Sequence, residues 1–232
     1  MKTIGLLGGM SWESSLGYYR AINEGVKNTL GGLHSGKIAM YSFDFEPIER
    51  LQREGDWESA AQIISEAARK VQAAGADFLV ICTNTMHKVA PEVEAAIQIP
   101  LLHIADATAE ALLAANVQTV GLLGTAFTME QDFYKGRLRD KYNLQVLVPN
   151  RDDRKVIHDV IYRQLCLGIL DSDSKAEYLR IIDSLATEGA EAIILGCTEI
   201  GALIKQADTD VRIFDTTAIH AAKAVEYATQ SM

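Results

Sequence analysis

The sequence predicts an α/β protein built from two pseudosymmetric three-layer domains with mainly parallel sheets and an active site in the cleft between them. Three observations lead there. Short apolar runs ending in glycine or polar residues alternate with Ala-rich segments of helical period. The segment Lys2-Thr3-Ile4-Gly5-Leu6-Leu7-Gly8-Gly9 returns as Gln118-Thr119-Val120-Gly121-Leu122-Leu123-Gly124-Thr125, an offset of 116 residues. The segment Ala74-Gly75-Ala76-Asp77-Phe78-Leu79-Val80-Ile81-Cys82-Thr83 returns as Glu188-Gly189-Ala190-Glu191-Ala192-Ile193-Ile194-Leu195-Gly196-Cys197, an offset of 114. Two nearly equal offsets indicate a repeated unit of about 115 residues rather than two isolated matches.

In chain order, the apolar and β-branched runs predict strands over 3–7, 38–42, 77–81, 101–103, 119–123, 145–148, 192–195 and 212–214. Between them, periodic segments predict helices over 14–27, 57–74, 89–96, 105–114, 129–141, 154–167, 175–188 and 217–230. The stretch around Phe45-Glu46-Pro47 reads as a loop. The first domain is expected to comprise 1–98 plus 214–232 and the second 99–213. Ligands of parallel sheets collect beyond the carboxyl ends of the strands, so a cleft between the halves would bring both echoed strand ends to one substrate.

Composition narrows the function. The 232 residues carry 22 Lys+Arg against 31 Asp+Glu, a formal charge of −9, and 48% are hydrophobic. Such a chain lacks the concentrated positive surface that a phosphate backbone requires, so no nucleic-acid partner is expected. Apolar runs such as Phe78-Leu79-Val80-Ile81 fall far short of the roughly 18 to 20 residues of a membrane span. No signal-peptide pattern opens the sequence, and the expected location is the cytoplasm. Three cysteines, Cys82, Cys166 and Cys197, are too few and too scattered for a disulfide scaffold or a thiolate zinc site. No His/Cys/Asp cluster has metal spacing and no lysine lies in a coenzyme motif, so neither metal nor cofactor is expected.

The cysteines differ in context. Gly196-Cys197-Thr198-Glu199 puts a thiol at a strand end, where backbone N–H groups of the following turn can lower its pKa and bind a carboxylate. Cys166 sits at helical spacing with Tyr162 and Leu170, as a packing residue does. Adjacent strand residues point to opposite sides, so if Thr83 faces the cleft, Cys82 faces the core. The repeat places Thr83 opposite Cys197. Asn84-Thr85-Met86-His87-Lys88 either caps the next helix or anchors a substrate carboxylate, and His87 is an acid or base in one reading and a capping or surface residue in another. The turn Gly8-Gly9-Met10-Ser11-Trp12 lacks the glycine patterns of dinucleotide and ATP sites, and reads as a turn that lets substrate approach the backbone at Met10. Its echo offers the hydroxyls of Thr125 and Thr128. Asp106 and Asp215 could cap helices or line the cleft.

These motifs together resemble the aspartate/glutamate racemase family over nearly the full length. The resemblance rests on the Gly-Gly-Met-Ser-Trp loop, Cys82-Thr83-Asn84-Thr85-Met86-His87, Gly124-Thr125 and Gly196-Cys197-Thr198-Glu199 in that order. It implies two pseudosymmetric α/β domains, frequent homodimers, and pyridoxal-phosphate-independent interconversion of L- and D-amino acids by thiols on opposite faces of Cα. It also implies that Asn84, Thr85, Thr198 and Glu199 hold the substrate. One departure stands out: Thr83 occupies the position of the family's first catalytic cysteine, and the branch carrying this threonine favours the L-enantiomers of acidic amino acids. A threonine hydroxyl is a far weaker base than a thiol, so the two faces are not chemically equivalent.

The expected reaction is therefore α-proton removal from L-glutamate or L-aspartate by Cys197, with reprotonation on the other face by Thr83 or a solvent-linked proton. Arg50, Gln52 and Arg53 are candidates to clamp the distal carboxylate, and the family resemblance favours Gln52; Arg163 and Lys88 are weaker candidates. A broad-specificity amino-acid racemase acting on substrates such as homoserine, a single-cysteine dicarboxylate decarboxylase or isomerase, and a non-catalytic carboxylate-binding protein are the alternatives.

Overall fold

A computed structural model describes residues 1–230. The chain divides into two compact units, Met1–Ile104 together with the chain from His220 onward, and Ala105–Ile219.

The first unit holds strands β1 (Ile4–Gly8), β2 (Ile38–Ser42), β3 (Phe78–Ile81) and β4 (Leu101–Leu102) in the parallel order β2-β1-β3-β4. Its helices are α1 (Trp12–Leu30), α2 (Phe45–Glu54), α3 (Trp57–Ala73) and α4 (Ala90–Ala96). Strand alternation sorts the core into two layers. Leu7, Leu79 and Ile81 pack with Ile48 of α2 and Ile64, Ala68 and Val71 of α3, whereas Ile4, Leu6, Phe78, Val80 and Cys82 pack with Tyr18, Ile22 and Val26 of α1. Strands β1 and β3 are buried along their whole length, as expected of parallel strands covered on both faces.

The second unit repeats the plan. Strands β5 (Thr119–Gly124), β6 (Gln145–Leu147), β7 (Ala192–Gly196) and β8 (Arg212–Asp215) stand in the order β6-β5-β7-β8, all parallel. Helices α5 (Ile104–Ala114), α6 (Ala126–Glu130), α7 (Asp132–Tyr142), α8 (Arg151–Arg163), α9 (Ser172–Thr187) and α10 (Ile200–Leu203) follow, and α11 (Thr216–Thr229) returns the chain to the first unit. The echo extends to close contacts. A Cβ on Gly5 would lie 2.6 Å from Val71 of α3, and one on Gly121, its counterpart, 2.9 Å from Leu185 of α9. Each glycine thus lets one helix settle directly onto its central strand.

The structure shifts several sequence expectations. The junctions expected at 98/99 and 213/214 move to 104/105 and 219/220, because Leu101–Leu102 pairs with β3 and Arg212–Asp215 with β7. The expected loop at Phe45-Glu46-Pro47 is the start of α2, with Pro47 in its first turn and Gly55 stopping it in the left-handed conformation (φ 77°). The single helix over 129–141 divides at Gln131, whose backbone is extended. The helix over 154–167 ends at Arg163, and Cys166 lies in a 3₁₀ turn, Leu165–Leu167. Among the described residues, no helix is long and apolar enough to cross a membrane.

Candidate active site

In an open parallel sheet a binding crevice forms at the carboxyl ends of two neighbouring strands whose following connections leave in opposite directions. β1 and β3 form that point in the first unit, and β5 and β7 form it in the second. All four glycine or cysteine motifs predicted as functional follow these four strands.

After β1 the chain turns through Gly9, whose φ of 85° favours glycine and whose Cα side faces the backbone of Phe43. The Gly9 N–H donates to Ser15 Oγ at 2.6 Å, and that hydroxyl donates to Ser11 O at 2.9 Å. Ser11 also caps α1. Ser15 was not singled out from the sequence, although Ser-x-x-Ser-Ser at a helix start carries the capping signal. Met10 is buried in the apolar cluster with Leu7 and Ile48, so its side chain serves packing.

After β3, Cys82 lies in the apolar layer beneath α1, and burial drives its thiol pKa far up. Thr83, half-buried, follows it, and Asn84 leads into a 3₁₀ turn, Thr85–Val89, without capping it through its side chain. Gln52 reaches this segment from α2: it is 2% exposed and its amide donates to Met86 Sδ at 3.0 Å. The other clamp candidates are otherwise occupied or exposed. Arg53 pairs with Glu49, Arg50 is exposed, Arg163 is exposed on α8, and the Lys88 ammonium sits 3.9 Å from the Trp57 ring centroid, where burial lowers its pKa.

His87, buried at 2% exposure, faces Thr83 O with Nδ1 at 2.8 Å and receives the Ile104 N–H on Nε2 at 3.2 Å. Its ring lies 4.5 Å from that of His103 and 5.9 Å from that of His220. This histidine is neither a helix cap nor a surface group.

The second unit presents a different chemistry at the equivalent place. Cys197 Sγ donates to Glu199 Oε2 at 2.9 Å, and Thr198 Oγ1 donates to the same oxygen at 2.6 Å. Burial first, and the Glu199 carboxylate second, push the Cys197 pKa well up. The amide effect expected at this strand end is present, since the Glu199 backbone N–H lowers the Cys197 pKa, but burial and the adjacent carboxylate outweigh it. Glu199, expected to bind substrate, is engaged with the thiol. After β5, Thr125 caps α6 by accepting the Thr128 N–H, and the two hydroxyls lie 3.2 Å apart. His158 of α8 receives the Ala126 N–H at 3.1 Å, a support for this turn that no sequence signal marked.

Asp215 takes the helix-capping option, accepting the N–H groups of Thr217 and Ala218 at the start of α11. Asp106 instead holds Arg137 through two hydrogen bonds and Lys141 through a third. Among the described residues no group of three His, Cys, Asp or Glu side chains is arranged to hold a metal ion.

Comparison with known proteins agrees with this architecture. The family described as Asp/Glu/Hydantoin racemase matches residues 7–224. The structure of a Yersinia pestis chain carrying the Asp/Glu racemase designation is 54% identical, covering 98% of this chain and 99% of that one with a TM-score of 0.91. An aspartate racemase homologue from Pyrococcus horikoshii is 36% identical over 99% of this chain and 100% of its own, with a TM-score of 0.85. The broad specificity amino-acid racemase RacX of Bacillus subtilis is 23% identical over 177 residues, 73% of each chain.

Proposed function

The chain belongs to the Asp/Glu/Hydantoin racemase family, and from that membership we propose a reaction in which Cys197 and Thr83 act on opposite faces of Cα of L-glutamate or L-aspartate. Fold and relatives support a pyridoxal-phosphate-independent amino-acid racemase. The observation that carries the finer reading is the hydrogen bond from the Cys197 thiol to Glu199.

A buried thiol beside a carboxylate is a poor base until its proton has somewhere to go. Glu199 Oε2 is that acceptor. An arriving substrate brings an ammonium group, which compensates the negative charge of the resulting thiolate. The thiolate then removes the α-proton: the Cα–H bond breaks, an S–H bond forms, and the electron pair delocalises into the α-carboxylate. Thr83 Oγ delivers its proton to the opposite face and is replenished by a solvent-linked proton, while Glu199 releases to solvent the proton it took from the thiol, which restores the starting state. Neutral donors suit the charged intermediate, and Asn84, Thr85, Thr125, Thr128 and Thr198 are the groups assigned to hold it, with Met10 contributing its backbone. The two faces differ in acid strength, so turnover from the L side exceeds turnover from the D side at equal saturation.

Gln52 is assigned to the distal end of the substrate. An amide, unlike a guanidinium, does not demand a carboxylate partner. That property, with the likeness to the Bacillus subtilis broad specificity enzyme, favours a second reading in which uncharged amino acids such as homoserine are also turned over.

The test is proton NMR in D₂O with separate L- and D-glutamate, L- and D-aspartate and L-homoserine samples. Loss of the α-proton signal with formation of the opposite enantiomer, abolished in Cys197→Ala, is the expected result. Substrate binding without exchange would sink the racemase reading in favour of a binding protein or a single-cysteine lyase.

A further inference from the structure

We propose that His87 is a positioning residue for Thr83, acting as a neutral imidazole with its proton on Nδ1, and this assignment rests on the racemase reading above. The two contacts of the ring fix its state. A backbone N–H can only donate, so the Nε2 atom that meets Ile104 N at 3.2 Å is a bare acceptor. A carbonyl oxygen can only accept, so the Nδ1 atom 2.8 Å from Thr83 O carries the proton. An imidazolium has no lone pair for Ile104, and the other neutral tautomer sets its N–H against the Ile104 N–H and its lone pair against the Thr83 carbonyl.

The ring is well fixed. It is 2% exposed, with the His103 ring on one side at 4.5 Å and the His220 ring at 5.9 Å. His220 is itself fixed by Tyr18 Oη at 2.9 Å and Leu102 O at 2.8 Å. Histidines thus grip the chain on both sides of His103, at Leu102 and at Ile104, the last residue of the first unit before the second begins. His87 links that anchored point to the residue following Cys82 at the end of β3. The carbonyl it holds belongs to Thr83 itself, so a ring displacement moves the hydroxyl that faces Cα. Reacting groups misplaced by about 1 Å lose on the order of a hundredfold in rate.

The consequence is selective. With Thr83 misplaced, Cys197 still removes the α-proton of the L-substrate, exchanges it with solvent and returns a deuteron to the same face. Delivery to the opposite face is what fails. In D₂O, the ratio of α-deuterium in recovered L-glutamate to D-glutamate formed therefore separates positioning of Thr83 from general damage, which lowers both together.

Three variants divide the two contacts. His87→Asn keeps a donor near Nδ1, His87→Gln keeps an acceptor near Nε2, and His87→Phe keeps only the ring. The expected result is a ratio raised about five- to tenfold in His87→Phe and His87→Gln, the loss associated with one hydrogen bond, and restored to within about twofold of wild type in His87→Asn. The Asn–Gln comparison stands even if the phenylalanine variant does not fold. An unchanged ratio in His87→Gln, or a parallel fall of exchange and racemisation in all variants, would overturn the assignment while leaving the racemase reading intact. Absence of exchange in the wild type, or its persistence in Cys197→Ala, would instead remove the racemase reading.

Discussion

The thiol of Cys197 donates to a carboxylate oxygen of Glu199 across 2.9 Å, so the residue assigned to take a proton from substrate already has its own proton directed at an acceptor. Replacing that carboxylate separates two properties that usually move together. In Glu199→Gln the proton acceptor is lost, and racemisation is expected to fall by about 10² to 10⁴, the range of general-base removal. The same change removes a negative charge that raises the thiol pKa, so alkylation of the Cys197 peptide by iodoacetamide near neutral pH is expected to quicken. Activity and alkylation falling together would show that Glu199 instead keeps the thiol ionised.

Thr83→Cys is expected to make the two faces more alike. The ratio of initial rates from L- and D-glutamate should move toward one, because a thiol at this place is several pKa units more acidic than the hydroxyl. Chiral chromatography of both directions measures it, and an unchanged ratio would dissociate Thr83 from the second face.

His220 sets a pH limit on stability. Burial lowers its pKa to about 4 from 6.5. The folded protein therefore holds it neutral where the unfolded chain protonates it, and stability falls as pH drops from 6.5 toward 4. The contribution of this group approaches about 3 kcal/mol below pH 4 and vanishes above pH 6.5. Urea unfolding at several pH values should show a shallower dependence in His220→Gln by up to one proton within that window. Equal slopes in the two proteins would mean that other groups govern acid lability.

The paired central-strand glycines should not be equally sensitive. A Cβ on Gly5 would meet the backbone oxygen of Phe78 at 2.9 Å, besides Val71 at 2.6 Å, whereas the atoms nearest a Cβ on Gly121 belong to side chains, the Cδ1 atoms of Ile193 and Leu185 at 2.5 and 2.9 Å and the Leu185 Cβ at 3.3 Å. Flexible side chains can yield and a strand backbone cannot. Gly5→Ala is expected to cost about 2 to 3 kcal/mol and Gly121→Ala about 1 kcal/mol, within the range for overpacked cores. Thermal melts of the two variants make the comparison, and a larger cost at Gly121 would contradict it.

What could be read from the sequence follows the range of the interactions. Strands β1, β3, β5 and β7 were legible because burial on both faces writes itself as an uninterrupted apolar run, and their repetition made the two-unit plan legible as well. The identity of Cys197 and Thr83 as counterparts came from the same repeat. The helix over Phe45–Glu54 was missed although Pro47 stands in its first turn and Gly55 follows its end, since a proline after an acidic residue also reads as a turn. That burial and a carboxylate outweigh the amide at Cys197 was not legible, because Cys-x-Glu spacing does not say that the carboxylate folds back onto the thiol. The distant partner of His87 was out of reach: Ile104 is 17 residues away, and only the packing of the fold brings its amide to the ring.

The route of the chain has a consequence in time. The second unit is an insertion, entered at Ala105 and left at Ile219, and the first unit recovers its last helical segment only afterwards. Ala221, Ala224, Val225 and Ala228 of α11 belong to the same apolar layer as Ile4, Leu6 and Val80. At synthesis rates of about 5–20 residues per second, that layer waits roughly 6 to 25 s after β4 is made before the α11 part of its cover is synthesised. The unit that a ribosome begins first is the one it finishes last.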